Sequence, residues 1–449
     1  MATTFLSTTL GTPTSSRIWT FSTWLKRSGL ASGQHIFSID NGSQRDAFSF
    51  DSDDGLRLYF NGSATGYADL STNRVLRDIS AFYHLVIAVD TTQATAANRV
   101  KLYINGTQYT WDETTVYGDQ NYDTFNASGN TFRIGRDRTA AAYFDGILAH
   151  THFIDGTQYA ASTFGETDST SGIWKPKTAP SVTYGNNGFF LKFENSGNLD
   201  LDSSGNNRSF TTSGTLTQNV DTPSNVFPCW NPNINDGEGG NWSNANLTIA
   251  PDGDGSYLYA PITMPLSQGK WYSEHMITGG NGYGSIGFVG ASNVSDVFRS
   301  GGEPGSHTPS FAFRCINGGI KMNNSNTTYG SAPGTSDAIL GIAVDITNKK
   351  VWYSVNGTYV TYGGGVGNPA AGTYGFDWSS LSDDFGFLMY CGDSENNGYG
   401  NFKSNFGGGV FGTTAVASAN ADANGHGAFE YAVPSGYYAI CTKNIKEFG

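Results

Sequence analysis

The chain has 449 residues, 38% of them hydrophobic and 14% aromatic, with 59 glycines and a formal net charge of −13. That length accommodates two all-β sandwiches of roughly 200–250 residues each, and 29 Phe and 24 Tyr supply ring area for their cores. With 38 Asp and Glu against 25 Lys and Arg and no long basic run, nucleic acid and anionic membrane are excluded as partners, because both need a basic face to neutralise phosphate. Membrane insertion is excluded too, since no apolar run approaches the ~18 residues of a span.

Taken in order, the chain opens on a polar Ser/Thr/Gly stretch. In Trp19–Lys26, Trp19, Phe21, Thr23 and Leu25 then alternate with Thr20, Ser22, Trp24 and Lys26. A period of two is the mark of a β-strand. Short strands are expected at His35–Ile39, Ala47–Phe50 and Leu56–Phe60, and later at Thr131–Gly135, Tyr143–Ile154 and Gly188–Phe193. Between them stands His84–Asp90 followed by Arg99–Tyr109. Its counterpart in the second half is Ile339–Asp345 followed by Val351–Val360. Both pairs close one strand on Ile-Ala-Val-Asp and the next on Asn-Gly-Thr, and Asn-Gly supplies the positive φ angles of a tight hairpin. One kind of sandwich is therefore expected twice. Helical periodicity is nearly absent, with at most one turn at Ala160–Phe164.

Residues 195–240 are turn-rich, with Pro223, Pro228 and Pro232 within ten positions, which sets a boundary near residue 220. The expected division is a sandwich over 1–217, a Pro/Asn-rich linker over 218–240 and a second sandwich over 241–449. The second half carries strands at Ser256–Ala260, Gly269–Ile277, Ser285–Gly290, Ser310–Ile316, Gly319–Met322 and Phe385–Cys391, and ends on Gly436–Cys441 as a closing strand. Cys229, Cys315, Cys391 and Cys441 all lie there, too far apart for a C-x-x-C motif, and read as buried thiols ahead of disulfides. The start Met1-Ala-Thr-Thr lacks the basic region of a secretory leader, so synthesis in a cytoplasm is expected.

Several of these segments carry a family resemblance. Tyr83–Val89, Val100–Gly106, Phe132–Gly135 and Phe144–Ile147 resemble laminin G-like, concanavalin A-like jelly rolls. Gly269–Glu274, Ile286–Phe288, Gly341–Asp345 and Val351–Gly357 resemble the SPRY domain, another concanavalin-like sandwich. The pairing, with Ile154-Asp-Gly-Thr-Gln158, Leu201–Asn206 and Asp221–Phe227, resembles virion proteins of tailed bacteriophages, especially those of marine bacteria. The fold implied is all-β, two concanavalin A-like jelly-roll β-sandwiches in tandem. The resemblance implies a non-enzymatic protein of the virion surface, in a fibre, the tail or a head decoration. Its implied partners are other virion proteins and host cell-surface glycans, and its implied state is a homo-oligomer, a trimer if it follows phage fibres. A soluble carbohydrate-active enzyme or secreted lectin is the alternative from another class, and structural cement without a ligand is a third.

The residues that could carry chemistry are few. Glycoside hydrolysis needs two carboxyls about 5–10 Å apart, but the two closest of the nine Glu, Glu430 and Glu447, are 17 positions apart. Asp393 and Glu395 have the spacing but lie in a polar loop. No nucleophile elbow or zinc-protease motif occurs. Gly279–Gly284 is Gly-rich without a following helix, which leaves no phosphate cradle. His150 and His152 alternate on one strand face as metal ligands can, although packing is the commoner use of such a pair. In Asp200-Leu-Asp-Ser-Ser-Gly205, Asp200, Asp202 and Ser204 place oxygens at the first, third and fifth positions of a calcium loop with Gly at the sixth. Thr211 stands where the loop would end in Glu. Asp51–Gly55 and Asp252–Gly255 read as simple turns. Trp111, Trp230, Trp242 and Trp378 lie off the clearest strands and are the candidates for stacking on sugar rings.

Overall fold

The computed structural model describes residues 3–61, 67–112, 116–139, 141–234, 240–251, 259–278, 284–294, 304–334, 337–393 and 401–449. Among them strand and turn account for nearly everything. The chain divides into two compact units, Met1–Gln218 with Thr222–Ser224 and Asn219–Asp221 with Asn225–Gly449. Each unit is a jelly-roll sandwich of two sheets.

The first unit contains β1 (Phe5–Thr9), β2 (Ile18–Arg27), β3 (Gln34–Asp40), β4 (Arg45–Phe50), β5 (Gly55–Phe60), β6 (Ala68–Val75), β7 (Tyr83–Asp90), β8 (Val100–Ile104), β9 (Thr107–Tyr109), β10 (Thr131–Ile134), β11 (Gly146–Asp155), β12 (Gly165–Thr167), β13 (Trp174–Pro176), β14 (Phe189–Leu191) and β15 (Thr211–Ser213). One sheet runs β15-β1-β10-β3-β4-β5-β6 and the other β14-β11-β2-β7-β8-β9. Their facing sides bury Trp19, Phe21, Phe37, Phe48, Leu58, Ile87, Leu102, Phe132 and Phe153 in one core. Each such side chain contributes about 1.5–3 kcal/mol by leaving water. The alternation seen in β2 does not leave a wet face, because the segment after β11 lays Tyr159, Phe164, Trp174 and Tyr184 over Val86 and Ile154 on the outside of the six-stranded sheet. Asp155 pins that crossing: its carboxylate accepts from Thr14 N (2.7 Å), Ser15 N (3.1 Å), Asn187 N (3.0 Å) and Asn126 Nδ2 (2.9 Å). The seven-stranded sheet keeps its outer face in partial contact with solvent.

The second unit repeats the plan. Its larger sheet is ordered Gly240–Ser243, Thr248–Pro251, Asn401–Asn405, Lys270–Thr278, Ala338–Asp345, Lys350–Val355 and Thr358–Tyr359. Phe376–Asp377 pairs with Lys350–Val355, and Tyr438–Ala439 runs parallel to Lys270–Thr278. The smaller sheet is ordered Tyr259–Pro261, Phe387–Asp393, Gly284–Gly290, Ser310–Arg314, Gly319–Met322 and Ser325–Thr328. Here the C-terminal segment covers the outer face, packing Phe429, Tyr437, Ala439 and Cys441 on Tyr272, Ala343 and Trp352.

Three sequence expectations change. The polar opening supplies strand β1, because Leu6 reaches the core while Ser7 and Thr9 face out. The expected linker is packed structure over its described part, with Phe227, Cys229 and Trp230 buried in the second unit. The closing strand shrinks to Tyr438–Ala439 and is followed by a helix, Thr442–Phe448. The start of the Ser256–Ala260 strand lies outside the described residues. All four cysteines are buried and none is in a disulfide.

Candidate functional site

Three of the four loop tryptophans are structural. Trp111 is 6% exposed and donates from Nε1 to Val100 O (3.1 Å). Trp230 is fully buried, with Nε1 donating to Ser404 Oγ (2.9 Å) and Phe406 edge-on at 5.1 Å. Trp378 is fully buried between Phe311 and Phe387. No ring face remains for a sugar at these positions. Trp242 sits half-buried on the edge strand Gly240–Ser243, packed against the core of the second unit. Their neighbours are turn-formers, which places them off the strands in the sequence, but elements distant in sequence close over them.

The calcium expectation is also corrected. Asp202 Oδ1 accepts from Phe190 N (2.9 Å) and Ser204 N (2.9 Å), and Oδ2 from Ser204 Oγ (2.9 Å) and Arg208 N (2.8 Å). Asp200 Oδ2 accepts from Thr212 Oγ1 (3.0 Å). Oxygens already committed to N–H and O–H donors organise a turn instead of ligating a cation. Among the described residues no group of three His, Cys, Asp or Glu is placed to hold a metal. His150 and His152 are not a facing pair. A bulge separates them, His150 has φ 46°, and His152 stacks on Phe190 at 3.9 Å with Tyr184 OH 3.0 Å from its Nδ1. The turn at Asp252–Gly255, the residues 279–283 of the Gly-rich loop and Glu395 lie outside the described residues.

The second unit holds the carboxylate with the most catalytic-looking titration. Burial pushes Glu274 up to about 7, the range of a general acid. Its oxygens are spent, however: Oε2 accepts from Glu430 N (2.8 Å), and Oε1 from Tyr431 N (2.8 Å) and Tyr272 OH (3.1 Å). The group is sealed under the C-terminal segment and clamps that segment to the sheet.

The arrangement best suited to a ligand lies on the outer face of the seven-stranded sheet in the first unit. Register places Ser7, Arg133, Ser38, Ala47, Tyr59 and Asp69 in one row across β1, β10, β3, β4, β5 and β6, a span of roughly 24 Å at strand spacing. Each of the inner-strand residues alternates with a core neighbour (Phe132 and Ile134 beside Arg133, Leu58 and Phe60 beside Tyr59), so the pleat drives these side chains outward. The centre is small, Ser38 and Ala47, and long side chains fold across it. Arg133 pairs with Asp40, Arg45 with Asp137 (2.8 Å), and Arg57 grips Asp69 through two bonds of 2.7 and 2.6 Å.

Aromatic rings stand at both ends of the row. Arg136 lies over Phe5 at 4.3 Å and Tyr143 at 5.7 Å. At the far end Arg57 lies over Tyr59 at 5.5 Å, Tyr67 packs edge-on to Tyr59 at 5.5 Å, and the 43% exposed Tyr67 donates to Asp69 Oδ2 (3.0 Å). Burial holds the half-buried His35 imidazole below its usual value, with Arg45 acting in the same direction and Asp137 against it. The site was missed in the sequence, although Arg133, Arg136 and Arg138 fall within six residues and Arg57 and Arg133 stand at outward positions of clear strands.

Fold and face together define a concanavalin A-like sandwich with a stripe of guanidinium groups and rings. Residues 3–162, which contain the whole stripe, match the family model described as the Concanavalin A-like lectin/glucanases superfamily. No curated protein matches the chain. Among solved structures it is similar to the heptameric SAP-like pentraxin of Limulus polyphemus (17% identity, 41% of this chain and 86% of that one, TM-score 0.28). It is also similar to the SPRY domain of human HERC1 (12%, 35% and 86%, 0.26) and to a putative carbohydrate binding protein from Bacteroides ovatus (14%, 47% and 56%, 0.30). These are distant likenesses of strand arrangement.

Proposed function

We propose that the chain is a non-enzymatic glycan-binding protein whose ligand surface is the Arg/Tyr row on the outer face of the seven-stranded sheet. The observation that carries this reading is the coincidence on one face of two aromatic rings, the exposed Tyr67 and the half-buried Tyr59, with oriented guanidinium donors. Sugar rings present apolar C–H faces for the former and oxygens for the latter. The spent oxygens of Glu274 remove that carboxyl as a general acid, since a carboxyl that cannot reach solvent cannot protonate a leaving group.

On the same reading the protein is made in a host cytoplasm and mounted on the exterior of a tailed-phage particle as a fibre, tail or head-decoration component, in homo-oligomeric form. The motifs Ile154–Gln158 and Asp221–Phe227, which resemble such virion proteins, support that part. A glycan array with the full chain and with Tyr59→Ala/Tyr67→Ala tests the ligand surface. Binding by the parent and about tenfold weaker binding by the variant, at unchanged unfolding midpoint, is expected for loss of two stacking rings. Equal binding by both would move the site elsewhere. Absence of the chain from purified particles by mass spectrometry would end the virion assignment.

A further inference from the structure

Resting on that reading, we infer that the ligand is an acidic glycan, bound through its carboxylate or sulfate groups by Arg136, beside the Phe5/Tyr143 end of the row, and by Arg138. The inference comes from charge accounting on the face. Five arginines (Arg45, Arg57, Arg133, Arg136, Arg138) stand against four aspartates (Asp40, Asp51, Asp69, Asp137): Asp40 pairs with Arg133, Asp137 with Arg45, and Asp69 with Arg57, which also attracts Asp51 electrostatically. Arg136 and Arg138 bond to main-chain carbonyls: Arg136 to Asp137 O (2.9 Å) and Arg138 O (3.1 Å), and Arg138 to Gly42 O (2.9 Å). A carbonyl fixes a guanidinium without cancelling its charge. The Nε of Arg138 is buried and has no hydrogen-bond partner.

The face therefore carries a local positive excess of one, held at Arg136 and Arg138, on a chain whose net charge is −13. A neutral sugar gains nothing from that excess. It would need carboxylate acceptors for its hydroxyls, and Asp40, Asp69 and Asp137 are engaged with arginine. Oxyanions, in contrast, match the guanidinium fork in shape and charge. The acidity of the rest of the chain opposes nonspecific attraction of polyanions such as nucleic acid, so an acidic glycan must be held by fitted contacts to the guanidinium groups.

The test immobilises alginate (carboxylate), dextran sulfate (sulfate), neutral dextran and a DNA duplex, and measures binding of the full chain, Arg136→Ala, Arg138→Ala and, as a like-charge control in the second unit, Lys446→Ala. At least one acidic glycan is expected to bind about tenfold more tightly than dextran and to weaken as salt rises. Each arginine variant should lose about tenfold while Lys446→Ala binds as the parent does. The preferred arm identifies the acid group. Equal binding of dextran with unaffected arginine variants overturns the acidic ligand and leaves glycan binding standing. DNA binding as tight as the acidic glycans overturns it as unspecific charge attraction. Failure of these glycans together with every glycan of a neutral and acidic array overturns both readings.

Discussion

Trp174 lies so close to Gly106 that a Cβ on the glycine would come within 2.9 Å of the indole. Tyr431 covers Gly357 in the same way, with a Cβ there reaching 2.6 Å from the ring. Both glycines close Asn-Gly turns with positive φ, 50° and 84° at Asn105 and Gly106, 48° and 79° at Asn356 and Gly357. In both turns the asparagine locks the strand start, Asn105 Oδ1 accepting from His84 N (2.8 Å) and Asn356 Oδ1 from Ile339 N (2.9 Å). The two sandwiches thus share a hairpin and also the device that seats the covering segment on it. Gly106→Ala and Gly357→Ala are each expected to destabilise their own unit by about 1–3 kcal/mol, from left-handed strain plus overpacking. Denaturant unfolding of the full chain checks this. In a double-mutant cycle, Trp174→Ala should recover part of the Gly106→Ala loss and none of the Gly357→Ala loss.

Stability should fall as pH rises above the histidine range. Burial pushes Asp46 up to about 8 and Glu274 up to about 7. A carboxyl with a raised folded pKa gives its full stabilisation below its unfolded value and loses it as pH climbs through the folded one. The buried histidines act oppositely. Burial holds His84 and His275 down to about 3 and His152 well below its usual value, so their contribution is present above about 6.5 and lost on acidification. The two effects oppose each other below 6.5. Above it only the carboxyls titrate, and the unfolding midpoints of both units should drop between pH 6.5 and 8. Asp46→Asn should flatten that slope in the first unit alone and Glu274→Gln in the second alone. A flat parent profile over this window would contradict the assignment.

The repeated hairpin was legible because everything it needs is local: period-two apolar residues, Asp at the strand end and Asn-Gly at the turn. The covering segments were not, since Trp174 and Tyr431 meet their glycines across long stretches of chain and nothing near either ring announces the contact. The same limit misplaced Trp230 and Trp378, whose turn-rich neighbours suggested loops while distant strands buried them. The Arg/Tyr row was half-written in the sequence. Arg57, Tyr59 and Arg133 alternate with core residues, but only the strand order β10-β3-β4-β5-β6 brings them onto one line. Paired chemistry spread over several strands needs register before it can be read.

Glu274 makes a separable prediction. Its carboxylate is the common acceptor for the amides of Glu430 and Tyr431, and Asn405 Nδ2 adds a bond to Ala428 O (2.9 Å) beside them. Glu274→Ala leaves two part-buried N–H groups unpaired, at up to about 1–3 kcal/mol each. Hydrogen exchange at residues 428–431 should accelerate in the variant, by local opening of the segment, while glycan binding by the first unit stays at the parent's level. Unchanged exchange there would remove the clamp role from Glu274.

Asp202 separates a turn from a calcium loop. Four donors converge on its two oxygens: the amides of Phe190, Ser204 and Arg208 and the hydroxyl of Ser204. The side chain therefore ties β14 to the loop that leads into β15. Removing it in Asp202→Ala strands the Phe190 and Arg208 amides, and the first unit should lose about 2–4 kcal/mol by the cost of unmade bonds to a charged acceptor. Asp202→Asn keeps one acceptor and should lose less. A cation would bridge carboxylates and raise the unfolding midpoint by mass action, whereas a carboxylate already saturated with donors gives it no ligand to take. Calorimetry of the parent in millimolar calcium and in EDTA should therefore give superimposable first-unit transitions. A calcium-dependent upward shift that disappears in Asp202→Asn would restore the cation site and displace the turn as the reason for this aspartate.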